Sequence, residues 1–270
     1  MTDVDDKLLE KIITLAEQAG EKILEIYQTD YAIEHKEDET PLTEADMAAH
    51  HLIDAGLQVI TPDIPILSEE SGEIPFATRQ QWQRYWLVDP LDGTREFIKR
   101  NGEFSVNIAL VEGGNAILGV VYAPVMRTSY YARQGGGAFK REPGRKGRQI
   151  HCRTPARDKV IVAGSRSHRA PSLNAFLAKL ADYEIISMGS ALKSCLVAEG
   201  AVDVYPRLGP TSEWDTAAAQ CVVEEAGGLI TDTAMDVLRY NTKESLLNPH
   251  FFVSGDPGRD WSVYLDENDA

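Results

Sequence analysis

Residues 86–97, WLVDPLDGTREF, place two aspartates three positions apart, directly after an apolar segment of strand composition. Pro90 between them has no N–H group and a fixed φ, which restricts the backbone turn. Such a turn can aim the carboxylates of Asp89 and Asp92 and the carbonyl oxygen of Leu91 at one point. These are hard oxygen ligands of the kind that Mg²⁺ takes in proteins. The spacing therefore indicates a divalent-cation site at the end of a strand.

Acidic side chains recur at the ends of other predicted elements. The full set is Asp46, Glu69, Glu70, Asp89, Asp92 and Asp215. Each alone has an ordinary explanation as a first-turn helix acid, a solvated loop charge or part of an Asp-Gly turn. Gathered at one place, the carboxylates would repel one another unless cations neutralised them. Asp89 could bridge two ions, an arrangement that serves phosphate hydrolysis.

Other site motifs are excluded by spacing. Phosphatases with an aspartyl nucleophile use D-x-D-x-[TV], whereas the aspartates here are one residue further apart. The calcium loop of an EF-hand fails on the same test, and neither G-x-x-x-x-G-K-[ST] nor H-E-x-x-H occurs. The stretch GGGAF at 135–139 has no helix predicted after it, so it favours a hairpin over a dinucleotide site.

Composition limits the classes of partner. The chain has 270 residues and a formal charge of −15, so its surface repels the backbone of nucleic acids. A small phosphate ligand would need a local reversal of charge, which bound divalent cations supply. No apolar run is long enough for a membrane span, and the acidic N-terminus is unlike a secretory signal. Three cysteines without C-x-x-C spacing favour reduced thiols in a cytoplasmic protein.

Hydrophobic periodicity predicts the elements that position these acids. One helix is expected over 8–27 and a second over 44–59, with Thr43 as its cap and Asp46 in its first turn. Strands over 64–67 and 85–88 lead into the acidic residues, and three strand-like segments over 104–139 predict a meander. The further predictions are strands at 159–164, 183–188 and 201–205 and helices at 172–180, 191–198 and 215–226, the last stopped by Gly227-Gly228.

The polar, basic stretch at 141–154 predicts a boundary between two halves. The N-terminal α+β half, 1–150, would carry most of the acidic ligands. The C-terminal α/β half, 151–270, would carry Asp215 and the substrate contacts, and the two would form one catalytic unit.

The chain resembles the lithium-sensitive, Mg²⁺-dependent phosphatase superfamily of inositol monophosphatase and fructose-1,6-bisphosphatase. An acidic pair, D-P-[IL]-D-G-T and W-D occur in that order here, at 69–70, 89–94 and 214–215. Segments 85–114, 165–168, 195–200 and 205–219 look like the bacterial 3'(2'),5'-bisphosphate nucleotidases within it. The resemblance implies an α/β/α/β/α sandwich, an α+β fold, without a phosphoenzyme. It also implies removal of the 3'-phosphate from adenosine 3',5'-bisphosphate, a clearance step linked to sulfate assimilation.

The resemblance also implies roles for individual residues. Glu69, Asp89 and the Leu91 carbonyl would hold a first Mg²⁺, and Asp89, Asp92 and Asp215 a second. Glu70 would support a third through water. Asp46 and Thr94 would orient a water made nucleophilic by the cation, and Gly93 would let the phosphate approach the backbone.

Residues for the second phosphate and the base are a separate expectation. The candidates are Ser165, His168, Gly189, Ser190, Lys193 and Arg207, beside Glu69, Leu91, Asp92, Gly93, Thr94 and Asp215 around the metals. Gly189-Ser190 before a helix favours an anion site. Lys193 has the alternative of a solvent-facing helix position. Tyr122 or Tyr205 could stack a base, although tyrosines in strands more often belong to the core.

Two alternative functions stay open from the sequence. An inositol-1-phosphate phosphatase would use the same metals, and a catalytically silent, cation-binding regulatory protein would not need Thr94. The chain departs from the family in having Ala219 where glycine is usual, which concerns helix packing more than chemistry. The sequence leaves open the oligomeric state, activity on the 3'-phosphate of the sulfonucleotide PAPS, and association with the inner membrane surface.

Overall fold

The computed structural model describes residues 4–29, 41–164 and 171–266. The helices in this part of the chain are α1 (Asp6–Tyr27), α2 (Pro41–Ile60), α3 (Phe76–Arg79), α4 (Thr94–Ile98), α5 (Pro171–Lys179), α6 (Leu192–Ala198) and α7 (Glu213–Glu225), with a 3₁₀ turn at Ser262–Tyr264. The strands are β1 (Ile66–Ser68), β2 (Arg84–Asp92), β3 (Ser105–Glu112), β4 (Asn115–Ala123), β5 (Thr128–Arg133), β6 (Gly137–Arg141), β7 (Arg148–Ile150), β8 (Val160–Gly164), β9 (Tyr183–Ser187), β10 (Val204–Arg207), β11 (Leu229–Asp232) and β12 (Phe251–Ser254).

The first seven strands form one sheet in chain order, β1 to β7. β1 runs parallel to β2, and every later pair is antiparallel. Both faces of β2 are covered, as its continuous apolar sequence suggests. Because successive side chains point to opposite faces, Trp86 and Val88 pack toward α1 and α2, and Tyr85 and Leu87 pack toward α7.

The second sheet has the order β11-β12-β10-β8-β9. β8 is parallel to both β9 and β10, while β12 is antiparallel to β10 and β11. α7 is buried along most of its length because it lies between the two sheets, as a helix without a broad polar face must.

Three apolar clusters define the layers. One joins α1 and α2 to the outer face of the first sheet, one surrounds α6 and α7 between the sheets, and one joins α5 and the 3₁₀ turn to the second sheet. The expected α/β/α/β/α sandwich is therefore confirmed. The strands of the first sheet all precede residue 151, but α7 packs on that sheet from the second half. The division into 1–150 and 151–270 stays a prediction.

Several predicted boundaries differ from the structure. α2 begins at Pro41, so Thr43 does not cap it and Asp46 lies beyond its first turn. Proline suits the first helical position because its missing N–H would have no intrahelical partner. The basic segment taken as a boundary contains β7, which completes the first sheet. β11 and β12 were not predicted.

No helix of the described ranges combines the length and apolar composition needed to cross a bilayer.

Candidate active site

Two parallel strands bring the first acids together. β1 ends at Ser68, and the backbone N–H of the next residue, Glu69, donates to the Val88 carbonyl of β2 at 3.1 Å. Glu69 therefore lies beside Asp89, the residue that follows Val88. The neighbouring Asp89 and Trp214 side chains both oppose the rise in the pKa of Glu69 that burial causes. The Trp of the W-D pair thus influences the acid of another motif.

The D-P-L-D segment interrupts the regular pairing of β2 with β3. Asp89 is opposite Asn107 and Asp92 is opposite Ser105, so two residues of β2 face a single residue of β3 between these pairs, and β2 carries one extra residue. The Leu91 N–H donates to Asp89 Oδ1 at 3.1 Å, which fixes the Asp89 carboxylate. The irregularity brings Asp89 and Asp92 together, whereas regular alternation would separate side chains three positions apart.

Asp215 reaches this cluster from the first turn of α7. One carboxylate oxygen from each of Asp89, Asp92 and Asp215 lies within 4.8 Å of the others. Asp215 Oδ2 also accepts the Ser212 N–H at 2.8 Å, so the helix-cap explanation is valid too. One residue can do both because a carboxylate has two oxygens.

The proximity of these acids raises their pKa values. Asp89 is 1% exposed, and burial, then Asp92 and Glu69, raise its pKa well above the usual range. Burial, then Asp215, raises the pKa of Asp92 to about 7, against the opposing effect of Lys193. Burial is also the main cause of the raised pKa of Glu69 and Asp215. The free cluster is thus electrostatically unfavourable.

These observations fit a divalent cation. The donors are carboxylate oxygens from several elements, converging at one point. A cation there would offset the repulsion that raises the pKa values, and hard oxygen donors suit Mg²⁺.

Asp46 and Glu70 form an adjoining acidic pair. Burial, followed by the nearby Glu70 and Glu69, raises the pKa of Asp46 to about 8. Its Oδ1 is buried and has no hydrogen-bond partner among the described residues. Thr94 begins α4, directly after Gly93. The pairing of Asp46 with Thr94 stays a prediction.

Gly93 has a conformation that favours glycine. Its φ is +93°, and an added Cβ would lie 3.2 Å from the Glu103 carbonyl oxygen and from Phe104 Cα. The residue therefore allows β2 to turn into α4 and place Thr94 beside Asp92.

Asp92 accepts hydrogen bonds from β3 and from the residue that precedes α6. Its Oδ2 accepts the Ala191 N–H at 2.6 Å and the Asn107 Nδ2 at 3.4 Å. Asn107 is 1% exposed, and its Oδ1 accepts from Ser105. Asn107 was missed from the sequence, although a polar residue within the apolar strand SVNIALVE was a signal. Asp92 takes the Ala191 N–H, and the anion site expected at Gly189-Ser190 stays a prediction.

A cleft of about 540 Å³ opens beside the acids. The predicted site residues that line it are Asp92, Gly93, Thr94, Gly189, Ser190, Lys193, Arg207 and Asp215. Leu91 is fully buried, and neither it nor Glu69 is among the lining residues in the described ranges. Ser165 and His168 lie outside the described residues.

Lys193 is a buried cation of this cleft. It is 7% exposed, so the alternative of a solvent-facing position is wrong. Its Nζ donates to the Ser190 carbonyl at 2.7 Å and lies 5.2 Å from the centre of the Tyr205 ring. Tyr205 lines the cleft, whereas Tyr122 packs near Gly20 of α1 and is not among the lining residues of the described chain.

Arg207 brings a second cation to the cleft wall. One terminal nitrogen donates to the Pro210 carbonyl at 2.7 Å, while Nε is buried without a partner in the described chain. Its charge opposes the rise in the pKa of Asp215. Arg207 and Lys193 therefore give the cleft a positive component beside its acids.

Gly189 is required by packing between the halves. A Cβ there would overlap the Glu103 carbonyl oxygen and lie 2.6 Å from Glu96 Cγ. The residue thus lets the loop before α6 approach α4 and the loop after it.

The family model "Inositol monophosphatase family" matches residues 5–255 of this chain. The chain belongs to the inositol monophosphatase family. Members of this family are metal-dependent, which agrees with the acidic trio of Asp89, Asp92 and Asp215.

Several individual proteins are similar to this chain over most of its length. The chain is 50% identical to the 3'(2'),5'-bisphosphate nucleotidase CysQ of Salmonella typhimurium, over 92% of this chain and 99% of that protein. It is 40% identical to CysQ of Haemophilus influenzae, over 97% of both. The crystal structure of CysQ from Bacteroides thetaiotaomicron matches with a TM-score of 0.84 and 42% identity, over 93% of this chain and 98% of that one. An inositol monophosphatase from Zymomonas mobilis, 24% identical with a TM-score of 0.78 over 97% and 99% of the chains, shares the fold.

Proposed function

We propose that this protein is a Mg²⁺-dependent 3'(2'),5'-bisphosphate nucleotidase that converts adenosine 3',5'-bisphosphate to AMP and phosphate. The observation that carries the proposal is the convergence of Asp89, Asp92 and Asp215 beside a cleft with two cationic side chains. The relatives with 40–50% identity over nearly their whole length carry the same activity in their names. The reaction would clear a by-product of sulfate assimilation.

The proposed ligands are divided between two Mg²⁺ ions. Glu69, Asp89 and the Leu91 carbonyl would hold the first, and Asp89, Asp92 and Asp215 the second, with Glu70 as outer support for a third. When bound, these ions lower the pKa of water and neutralise charge on the transferred phosphate and the leaving oxygen. The backbone pairing that places Glu69 beside Asp89 supports the first group, and the 4.8 Å trio supports the second.

The protein's own groups orient the attack. Thr94 lines the cleft beside Asp92, where its hydroxyl can hold a water by a hydrogen bond. Asp46, with an unpartnered buried oxygen, is the proposed acceptor for the next proton in that chain. The water oxygen attacks phosphorus opposite the ribose oxygen, the bond between phosphorus and O3' breaks, and the ribose oxygen takes a proton. Positioning and charge neutralisation supply most of the rate in such transfers.

The cleft suits a small doubly phosphorylated nucleotide. Its volume of about 540 Å³ lies in the range of ligand pockets, roughly 300–1,000 Å³. Lys193 and Arg207 are the proposed partners of the phosphate that is not hydrolysed, because cationic side chains pair with phosphate oxygens. Gly189 and Ser190 complete this wall, and Ser165 and His168 stay predicted contacts.

We place the activity in the cytoplasm, where thiols such as those of Cys152, Cys195 and Cys221 stay reduced.

Phosphate release tests the proposal. Adenosine 3',5'-bisphosphate and inositol-1-phosphate are each supplied with Mg²⁺, with EDTA, and with Mg²⁺ plus Li⁺. We expect release from the nucleotide that needs Mg²⁺ and falls with Li⁺, and a kcat/KM for the inositol phosphate at least about 100-fold lower. Preferential release from inositol-1-phosphate would make the inositol monophosphatase activity the correct one. Release from neither would favour a silent cation-binding protein.

A further inference from the structure

The surface segment 241–248, which we call the strap, lies against the first turn of α7. It shares several hydrogen bonds with residues 211–216. The Asn248 N–H donates to the Thr211 carbonyl at 2.8 Å, and Asn248 Nδ2 donates to the Ser212 carbonyl at 2.7 Å and to Thr216 Oγ1 at 3.1 Å. The Glu213 N–H donates to the Leu246 carbonyl at 2.8 Å.

The strap thereby satisfies groups at the helix start that would otherwise lack partners. The first N–H groups of a helix have no intrahelical acceptor. The Glu213 N–H is one of these, and it finds its acceptor on the strap. Ser212, held through its carbonyl by Asn248, gives its own N–H to Asp215 Oδ2 at 2.8 Å. Only one residue therefore separates the strap from a carboxylate of the acidic trio.

A buried arginine fixes the other end of the strap. Arg79 is 2% exposed, and its guanidinium donates to Asn241 Oδ1 and to the carbonyls of Lys243 and Glu244. Asn241 Nδ2 returns a hydrogen bond to the Arg79 carbonyl at 2.6 Å. The Asn241 N–H donates to Glu213 Oε2 at 2.8 Å. The rigid fork of an arginine is suited to donating several hydrogen bonds at once.

We propose that Arg79 and the strap are a positioning device for Asp215, which sets the affinity of the trio for a divalent cation. In the described ranges, the hydrogen bonds of the Arg79 guanidinium all go to the strap and none to the acidic trio. Arg79 acts by holding the strap, which holds Ser212 and Glu213, and these orient Asp215. Outer groups that orient metal ligands typically alter metal affinity by about 10–100-fold when removed. The inference rests on the proposed function only in taking the trio to bind a cation.

The test measures Mn²⁺ binding directly, from the EPR signal of the free ion, with no substrate present. Arg79→Met removes the hydrogen bonds and keeps much of the side-chain volume. Arg153→Met is the matched control, since the Arg153 guanidinium likewise joins separate parts of the chain, donating to Asp203 Oδ1 and the Gly200 carbonyl, and neither partner belongs to the trio or the strap. We expect the Mn²⁺ Kd of Arg79→Met to rise about tenfold or more, and that of Arg153→Met to stay within about twofold of wild type.

A second readout separates positioning from general damage. At saturating Mg²⁺, Arg79→Met should recover turnover to within about threefold, because its defect lies in metal affinity. Asn248→Ala, at a half-exposed position, should weaken Mn²⁺ binding in the same direction and serves if Arg79→Met does not fold. Unchanged Mn²⁺ affinity in the folded variants, or an equal loss in Arg153→Met, would overturn the proposal. Absence of Mn²⁺ binding in the wild type would instead remove the proposed function, and the strap's role with it.

Discussion

Replacing Asp92 by Asn should stabilise the metal-free protein. In Mg²⁺, the same variant should be less stable than the wild type. In the metal-free protein, burial and Asp215 raise the pKa of Asp92 from 3.8 to about 7. At about 1.4 kcal/mol per pH unit, this difference makes the ionised carboxylate cost roughly 4 kcal/mol above pH 7. Asn carries no charge but still offers an oxygen to the Ala191 N–H. Loss of the charged hydrogen bond offsets about 1–2 kcal/mol, so a net stabilisation of about 2 kcal/mol is expected at pH 8.

The pH dependence has a defined sign. The folded-state pKa is above the unfolded one, so the folded protein binds the extra proton between pH 4 and pH 7. The penalty therefore fades as pH falls through this window and is fully present above it. Asp92→Asn should gain most at pH 8 and clearly less at pH 5.

In Mg²⁺, the wild type should become more stable than Asp92→Asn. A cation that binds only the folded wild type adds about 2.7 kcal/mol at one hundred times its Kd. Asp92→Asn lacks one of the three carboxylates within 4.8 Å, so it should gain little, and its turnover should nearly vanish.

Urea unfolding at pH 5 and pH 8, in EDTA and in Mg²⁺, gives the four values needed for each protein. Asp158→Asn, at an exposed position, controls for the loss of a carboxylate in general. The reasoning is refuted if Asp92→Asn is less stable than wild type in EDTA at pH 8. It is refuted equally if wild type and variant gain the same stability from Mg²⁺.

Substitutions at three further positions test the site and the helix that supports it. Thr94→Ala should lower kcat about 100-fold or more while Mn²⁺ binding is unchanged, because the hydroxyl that orients water is lost. Thr94→Ser keeps the hydroxyl and should keep most of the rate. Equal rates in wild type and both variants would exclude that role. Gly189→Ala should lower the free energy of unfolding by about 1–3 kcal/mol and raise the nucleotide KM, since its Cβ overlaps the Glu103 carbonyl. Urea titration checks this against Gly72→Ala, where a Cβ has open space. Ala219→Gly, in the buried middle of α7, should cost about 1 kcal/mol with kcat/KM within twofold of wild type; a large change in kcat/KM would mean that Ala219 affects chemistry.

Local sequence was sufficient for the elements whose signals are local. The apolar stripe of 8–27 became α1, Gly227-Gly228 follows the end of α7, and the hairpin expected at 135–139 is the turn between β5 and β6. The acids at strand ends also converged, because β1 and β2 are parallel neighbours. The D-P-L-D segment has two aspartates where a simple turn needs only one, and it was the strongest sequence signal of the acidic site.

Features that depend on distant partners could not be predicted in the same way. β12 lies between β10 and β11, and its short sequence shows no such order. Lys193 is buried because α6 lies between the sheets, and its own helix sequence does not show this. Arg79 acquires its partners from residues more than 160 positions away, so its role emerged only from the folded chain.

Anomalous diffraction from crystals soaked in Mn²⁺ tests the central claim most directly. We predict one strong peak within coordination distance of Asp89, Asp92 and Asp215, and a second between Asp89 and Glu69. The first peak should disappear in crystals of Asp92→Asn. Crystals that contain Mn²⁺ elsewhere but none at the trio would contradict the account.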